Sequence, residues 1–192
     1  MKRIAVIGAG SWGTTLAQVL NDNGHKVALW VRNPEKANKI AQSRYNADYL
    51  PQLKLADAIE ISSDLTQAVS NAEILLLAVP SHGMADLCCQ LSKITDCTDK
   101  VSVSCTKGFE YHSGLRMSEI IKSYFPSATV AVLSGPNHAE EIAIRQPSAT
   151  VIACQNEDVA TELQHIFLND YFRPYLTDDV IGVEIAGSLK NV

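Results

Sequence analysis

The chain has 192 residues, a formal net charge of −5 at pH 7, 46% hydrophobic and 19% charged side chains. Domains run to roughly 100–200 residues, so the length allows one large or two small domains, and the composition is that of an ordinary globular protein. Net negative charge argues against nucleic acid as a partner, because that binding rests on clustered Lys and Arg. No apolar run approaches the roughly 20 residues of a membrane span. Lys2 and Arg3 precede apolar residues, but glycine arrives after four of them, too soon for a signal peptide, and a cytoplasmic protein is expected. The five cysteines are an odd number with no CxxC pair, and the five histidines do not cluster. Buried free thiols are expected, with redox sensing by the vicinal Cys88 and Cys89 as the alternative, and no metal.

Ile4 to Ile7 is a short apolar run, Gly8, Gly10 and Gly13 then give GxGxxG, and Thr14 to Leu20 continues with helical apolar spacing. Strand, glycines and helix in that order are the context of a dinucleotide-binding turn. Gly8 permits the tight turn, Gly10 lets backbone approach a pyrophosphate, and Gly13 lets helix and strand pack closely. The helix N-terminus would then face the phosphates with unpaired N–H groups and the positive end of its dipole. The competing reading of the glycines is a flexible loop.

After the Asn23-Gly24 turn, Lys26 to Val31 reads as a second, parallel strand. An acid about 20 residues past the glycines often closes such a strand and bonds the ribose hydroxyls. Here that place holds Arg32, and the first acid is Glu35, beyond Pro34. Arg32 could grip a 2′-phosphate with its planar fork; the alternative is a solvated loop arginine. Pro34 to Gln42 looks helical. Tyr45 to Leu55 looks irregular and is expected to cross the cofactor mouth.

Ile59 to Ile61 reads as a short strand, Asp64 as the N-cap of a helix ending near Ser70, and Glu73 to Val79 as a buried strand ending at Pro80-Ser81-His82. Ligands in doubly wound sheets sit beyond the carboxyl ends of strands, which places Val79 to His82 near the cofactor. Met84 to Leu91 follows as helix, Lys100 to Ser104 as strand with Thr106-Lys107-Gly108 at its end, and Leu115 to Tyr124 as amphipathic helix. Val130 to Leu133 is a strand ending in Ser134-Gly135-Pro136-Asn137-His138. Ala139 to Ile144 starts a helix whose N-terminus is a second candidate anion site. His138 reads as a helix-start residue more readily than as an acid. Ala149 to Ala153, Asp158 to Leu168 and Phe172 to Leu176 repeat strand, helix, strand. Val180 to Val192 begins an apolar helix without a C-cap, an ending expected of a fragment rather than a domain. The alternation predicts an α/β fold, a doubly wound, mostly parallel sheet with helices on both faces.

GAGSWGTTLA at 8 to 17, VPSH at 79 to 82, TKG at 106 to 108, SGPNHAEE at 134 to 141 and GSLKNV at 187 to 192 together resemble the bacterial NAD(P)-dependent glycerol-3-phosphate dehydrogenases, over the whole chain. The resemblance implies a Rossmann-like NAD(P)-binding domain over 1–180. Residues 181–192 would start a helical substrate domain that is otherwise absent, together with the Arg-Asn pair that grips the substrate phosphate. It implies hydride transfer between NAD(P)H and dihydroxyacetone phosphate to give sn-glycerol 3-phosphate, for phospholipid synthesis, with room for a homodimer of the complete protein. Position by position, Gly8, Gly10, Gly13, Ser11, Trp12 and Arg32 would contact the cofactor, with Tyr49 a match in a variable loop. Lys107 would touch cofactor and substrate, Gly135 and Asn137 the substrate, and Ala139 the cofactor. Asn137 stands where many members have Ser or Thr. Lys190 would be the catalytic lysine, and Arg32 favours NADPH over NADH. Two other readings stay open: a β-hydroxyacid or 6-phosphogluconate type dehydrogenase, and a module that senses NAD(P) without turning over.

Overall fold

The computed structural model describes residues 1–97 and 99–189. In chain order the elements are β1 (Arg3–Ile7), α1 (Ser11–Asp22), β2 (Lys26–Trp30), α2 (Pro34–Ser43), β3 (Tyr45–Asn46), β4 (Leu50–Lys54), β5 (Glu60–Ser62), α3 (Leu65–Val69) and β6 (Ile74–Leu77). They continue as α4 (Met84–Leu91), β7 (Val101–Ser104), α5 (Met117–Tyr124), β8 (Thr129–Ser134), α6 (Ala139–Ala143), β9 (Ser148–Ala153), α7 (Glu157–Phe167), β10 (Phe172–Thr177) and α8 (Val180–Leu189). Eight strands form one sheet in the order β10-β9-β8-β7-β6-β1-β2-β5. From β5 to β8 every pair is parallel, with Ile4 opposite Val27 on one side of β1 and Ile74 on the other.

Side-chain alternation along the central strands explains the layers. Ile4 and Val6 of β1 join Leu16, Val19 and Leu20 of α1 and Leu163 of α7 in one buried cluster. Ala5 and Ile7 face the other way, into a cluster with Val69 of α3, Leu87 of α4 and Ile120 of α5. A strand with both faces apolar can be stable only between two helical layers. The expected doubly wound α/β sheet is therefore present, and its order reverses between β1 and β6.

One local expectation changes, and one strand pair departs from the parallel order. Tyr45 to Leu55 is not irregular: β3 and β4 form an antiparallel hairpin, with Tyr45 opposite Lys54 and Asn46 opposite Leu50. Leu50, Leu53 and Leu55 are buried, and their apolar surface draws this segment onto the core beside α1. The second difference is the direction of β9, which pairs antiparallel with β8. The link between them holds only the short α6, which packs end-on against α1, with Thr15 Oγ1 donating to the Ala139 carbonyl at 3.2 Å. A connection that does not run back along the sheet returns the chain at the same edge, so the next strand must run the other way. Among the described residues no helix is long and apolar enough to cross a membrane.

Candidate functional site

The reversal of strand order opens a crevice at the carboxyl ends of β1 and β6, the place where ligands settle in such sheets. The three glycines of the first turn occupy it for three separable reasons. Gly8 has φ +114, and a Cβ there would lie 2.4 Å from the Ala78 carbonyl oxygen at the end of β6. A Cβ on Gly13 would lie 1.9 Å from the Gly8 carbonyl oxygen, so only glycine lets α1 approach its own strand this closely. At Gly10 a Cβ would meet nothing within 4 Å: the space in front of it is open. That is the cradle a pyrophosphate requires. Helix α1 is also unlike α2, α3 and α7, whose N-termini are capped by Asn33, Asp64 and Asn156 side chains. Its N-cap, Gly10, offers no side chain, and its first turn holds no acid. Its leading N–H groups thus stay available to an anion, with the dipole in support.

Ser11 and Trp12 are the first two residues of α1. Trp12 is half-buried and leans on Phe172 of β10, ring centroids 6.4 Å apart. Gly8 N–H donates to the Trp30 carbonyl at 3.2 Å, which ties the turn to the end of β2. Arg32 follows two residues later, exposed and in no ion pair among the described residues. Tyr49 sits at the tip of the hairpin, with the Lys36 ammonium 5.3 Å from its ring centroid and Lys36 also paired with Asp48 at 2.5 Å. The second candidate anion site fails: α6 has five residues and carries Glu140 and Glu141 in its first turn, which repel an anion. His138 is its N-cap residue.

Further along the same edge, the ends of β6, β7 and β8 are laced together. Thr106 Oγ1 lies within hydrogen-bond reach of the Val79 carbonyl at 2.6 Å. Gly108 abuts Ser81 in the short 3-10 turn that follows β6, with a built Cβ 3.3 Å from the Ser81 hydroxyl. Lys107 Nζ donates to the Gly135 carbonyl at 2.8 Å. Gly135 is closely packed: a Cβ would lie 2.8 Å from Asn137 Oδ1, which would have to shift, and 3.2 Å from the Thr150 Cα. Asn137 uses its Nδ2 on the Ala149 carbonyl at 2.7 Å, and Ala139 is buried against α1. Ser134, Gly135, Pro136, Val151, Val183 and Gly187 line a cavity of about 210 Å³ beneath α8. The Ser134 hydroxyl is buried there without a hydrogen-bond partner among the described residues. Lys107, Gly135 and Asn137 thus come together at one end of a line that starts at Gly8. Lys190 lies outside the described residues.

Two features of the site have no counterpart in the sequence reading. Asn46 of the hairpin is buried and donates from Nδ2 to the Ala9 carbonyl at 2.9 Å and to Thr14 Oγ1 at 2.8 Å. Glu184 of α8, with its side chain 5% exposed, accepts from Arg116 Nη1 at 2.8 Å, from Ser118 N–H at 2.8 Å and from Ser118 Oγ at 2.6 Å. The only available signal for Glu184 was a lone acid between Val183 and Ile185 in an apolar run. For Asn46 it was an amide in a segment whose leucines belong to the core.

The thiols are free. Burial pushes Cys88 up to about 12 and Cys97 up to about 11, which leaves both as unreactive thiols at neutral pH. Among the described residues no three His, Cys, Asp or Glu side chains stand together to hold a metal ion.

Comparison with known proteins follows the same outline. Residues 3–160 match the model of the family described as the NAD-dependent glycerol-3-phosphate dehydrogenase N-terminus. The whole chain is 46% identical to a glycerol-3-phosphate dehydrogenase [NAD(P)+] of Corynebacterium kroppenstedtii and 45% identical to that of Corynebacterium glutamicum, and spans 58% of each. A crystal structure of glycerol-3-phosphate dehydrogenase from Coxiella burnetii superposes with a TM-score of 0.94 at 32% identity, over 99% of this chain and 58% of that one.

Proposed function

Because the chain belongs to the NAD-dependent glycerol-3-phosphate dehydrogenase family, within its N-terminal part, we propose that residues 1–180 bind NAD(P)H for the reduction of dihydroxyacetone phosphate to sn-glycerol 3-phosphate. Residues 181–192 then begin a helical substrate domain. The observation that carries this reading is the glycine turn: an open Gly10 in front of an uncapped α1, at the point where strand order reverses. The residues fit a dinucleotide. Gly8, Gly10, Ser11, Trp12 and Gly13 would hold its pyrophosphate, Arg32 and Tyr49 its adenosine end, and Lys107 and Ala139 the end nearer the reaction.

When bound, the nicotinamide supplies the hydride. The chain must supply charge and a proton where the ketone oxygen becomes an alkoxide. Lys107, held at the end of β7 by the Gly135 carbonyl, is an electrostatic clamp on cofactor and substrate. Gly135 and Asn137 lie beside it for the substrate. Lys190 is the proton donor to the carbonyl oxygen. A lysine ordinarily titrates near 10.4, and an acid working near neutrality needs a lower value. This division of labour predicts that Lys190→Ala lowers kcat by roughly 10²-fold or more with cofactor affinity intact, whereas Lys107→Ala weakens both ligands.

The test is loss of NADPH absorbance on adding dihydroxyacetone phosphate, for this chain alone and for the complete protein. The complete protein should turn over, and the 192-residue chain, which spans 58% of the length of its relatives, should bind cofactor with little turnover. Preference for another ketone in a substrate panel would favour the β-hydroxyacid reading. Absence of turnover in the complete protein would favour a sensing module. A cytoplasmic location and a role in phospholipid synthesis go with the first reading, and the solution mass of the complete protein tests the homodimer.

A further inference from the structure

The peptide between Ala9 and Gly10 lies in the middle of the glycine turn. No described peptide bond is cis, so its C=O and N–H point in opposite directions. The Ala9 carbonyl is directed inward, onto the buried Asn46 side chain at 2.9 Å. Its partner across the peptide, the Gly10 N–H, is therefore directed away from Asn46, and the space beside Gly10 is open, since a Cβ there would meet nothing within 4 Å. A carbonyl oxygen can only accept, so the Asn46 atom facing it is the amide nitrogen, and the same NH₂ group reaches Thr14 Oγ1 at 2.8 Å on the next turn of α1. One amide thus grips the turn at two points, one on each side of Gly10.

The grip is itself rigidly mounted. Asn46 pairs with Leu50 across the hairpin, and its own carbonyl accepts from Tyr49 N–H at 3.1 Å. Just before it, Arg44 takes a left-handed conformation at the end of α2, φ 62, and its guanidinium donates to the Ala56 carbonyl and to that of Ile59 at 2.8 Å. Gln18 of α1 accepts from Ala56 N–H at 2.9 Å. These bonds tie the hairpin segment to α1.

We propose that Asn46 is a positioning residue that fixes the Ala9–Gly10 peptide so that the Gly10 N–H is aimed at the pyrophosphate of a bound dinucleotide. This rests on the cofactor reading above. A peptide left without this hold can rotate, and a donor not already oriented contributes less to an anion than one that is.

Asn46→Asp keeps the shape and removes both donors, setting a carboxylate against a carbonyl; Asn46→Ala removes the side chain. Titrate wild type and both variants with NADPH and with adenosine 2′-monophosphate, which has no pyrophosphate. The expected result is an NADPH Kd raised about tenfold or more in the variants, the loss of about one charge-assisted hydrogen bond, with adenosine 2′-monophosphate within about twofold of wild type. Parallel weakening of both ligands, or of neither, overturns the inference. Should both variants fail to fold, the wild type decides: the Gly10 amide resonance should move on adding inorganic pyrophosphate, and a stationary Gly10 resonance overturns the inference. A wild type that binds neither NADH nor NADPH overturns the cofactor reading itself.

Discussion

Helices α1 and α8 are both nearly uncharged, yet they are held by opposite means. α1 buries Gly13, Thr14, Thr15, Leu16, Ala17, Val19 and Leu20, an apolar stripe matched by β1 and β2, and leaves its N-terminus clear. α8 is richer in large aliphatics but buries only Glu184 and Gly187, while Ile181, Ile185 and Leu189 are 54%, 41% and 62% exposed. Its anchor is polar: Glu184 reaches into the start of α5, bonding Arg116 and the Ser118 N–H and hydroxyl. An apolar helix sequence demands burial but does not name the partner. For α1 the partner is in this chain, and the cofactor half closes on itself. For α8 the described residues cover one face and leave its aliphatic side chains open.

The largest expected effect falls on α1. Gly13→Ala sets a Cβ 1.9 Å from the Gly8 carbonyl, backbone against backbone, and should cost about 3 kcal/mol or more of stability along with dinucleotide binding. Gly10→Ala meets no neighbour within 4 Å and has φ −74, so it should unfold in urea like wild type yet bind NADPH about tenfold or more weaker. Equal stability of the Gly13 and Gly10 variants would remove the distinction drawn between them.

On α8, Glu184→Ala strands the Arg116 guanidinium and the start of α5. Breaking a buried pair costs about 3–5 kcal/mol, and about 2–3 is expected here because Arg116 is 18% exposed and keeps Glu119 at 2.8 Å. Hydrogen exchange should speed up in α8 and the start of α5 and stay unchanged in α1. Uniform loss of protection would mean that the two helices are one cooperative unit.

Smaller effects concern the rim and the thiols. Arg32 should favour NADPH over NADH by about 1–3 kcal/mol, and Arg32→Asp should abolish the difference; an unchanged affinity ratio would assign Arg32 to solvent. At pH 8, iodoacetamide should label the half-buried Cys89 well before Cys88 and Cys97, whose thiols burial holds at about 12 and about 11. Equal labelling in native conditions would show that this face opens readily.

The alternation of β-branched runs and amphipathic segments made the sheet legible, because a strand buried on both sides must be apolar throughout. The roles of Gly8 and Gly13 were legible as well, each being a local steric demand. The hairpin was not: Pro51, Asn46 and two tyrosines carry turn-like chemistry, while the three leucines that bury the segment join a core cluster whose members, such as Leu16 and Ile142, are distant in sequence. Asn46 and Glu184 were missed for the same reason. Their partners, Ala9 with Thr14 and Arg116 with Ser118, lie 32 to 68 positions away, and only the fold brings them together.

The most direct test is a titration of NADPH into the 192-residue chain, followed by the emission of Trp12 beside the glycine turn. If the groups that hold the dinucleotide lie within residues 1–140, the signal should saturate at one NADPH per chain, and inorganic pyrophosphate should compete. Emission that does not saturate, or binding indifferent to pyrophosphate, would contradict a cofactor seated on the N-terminus of α1.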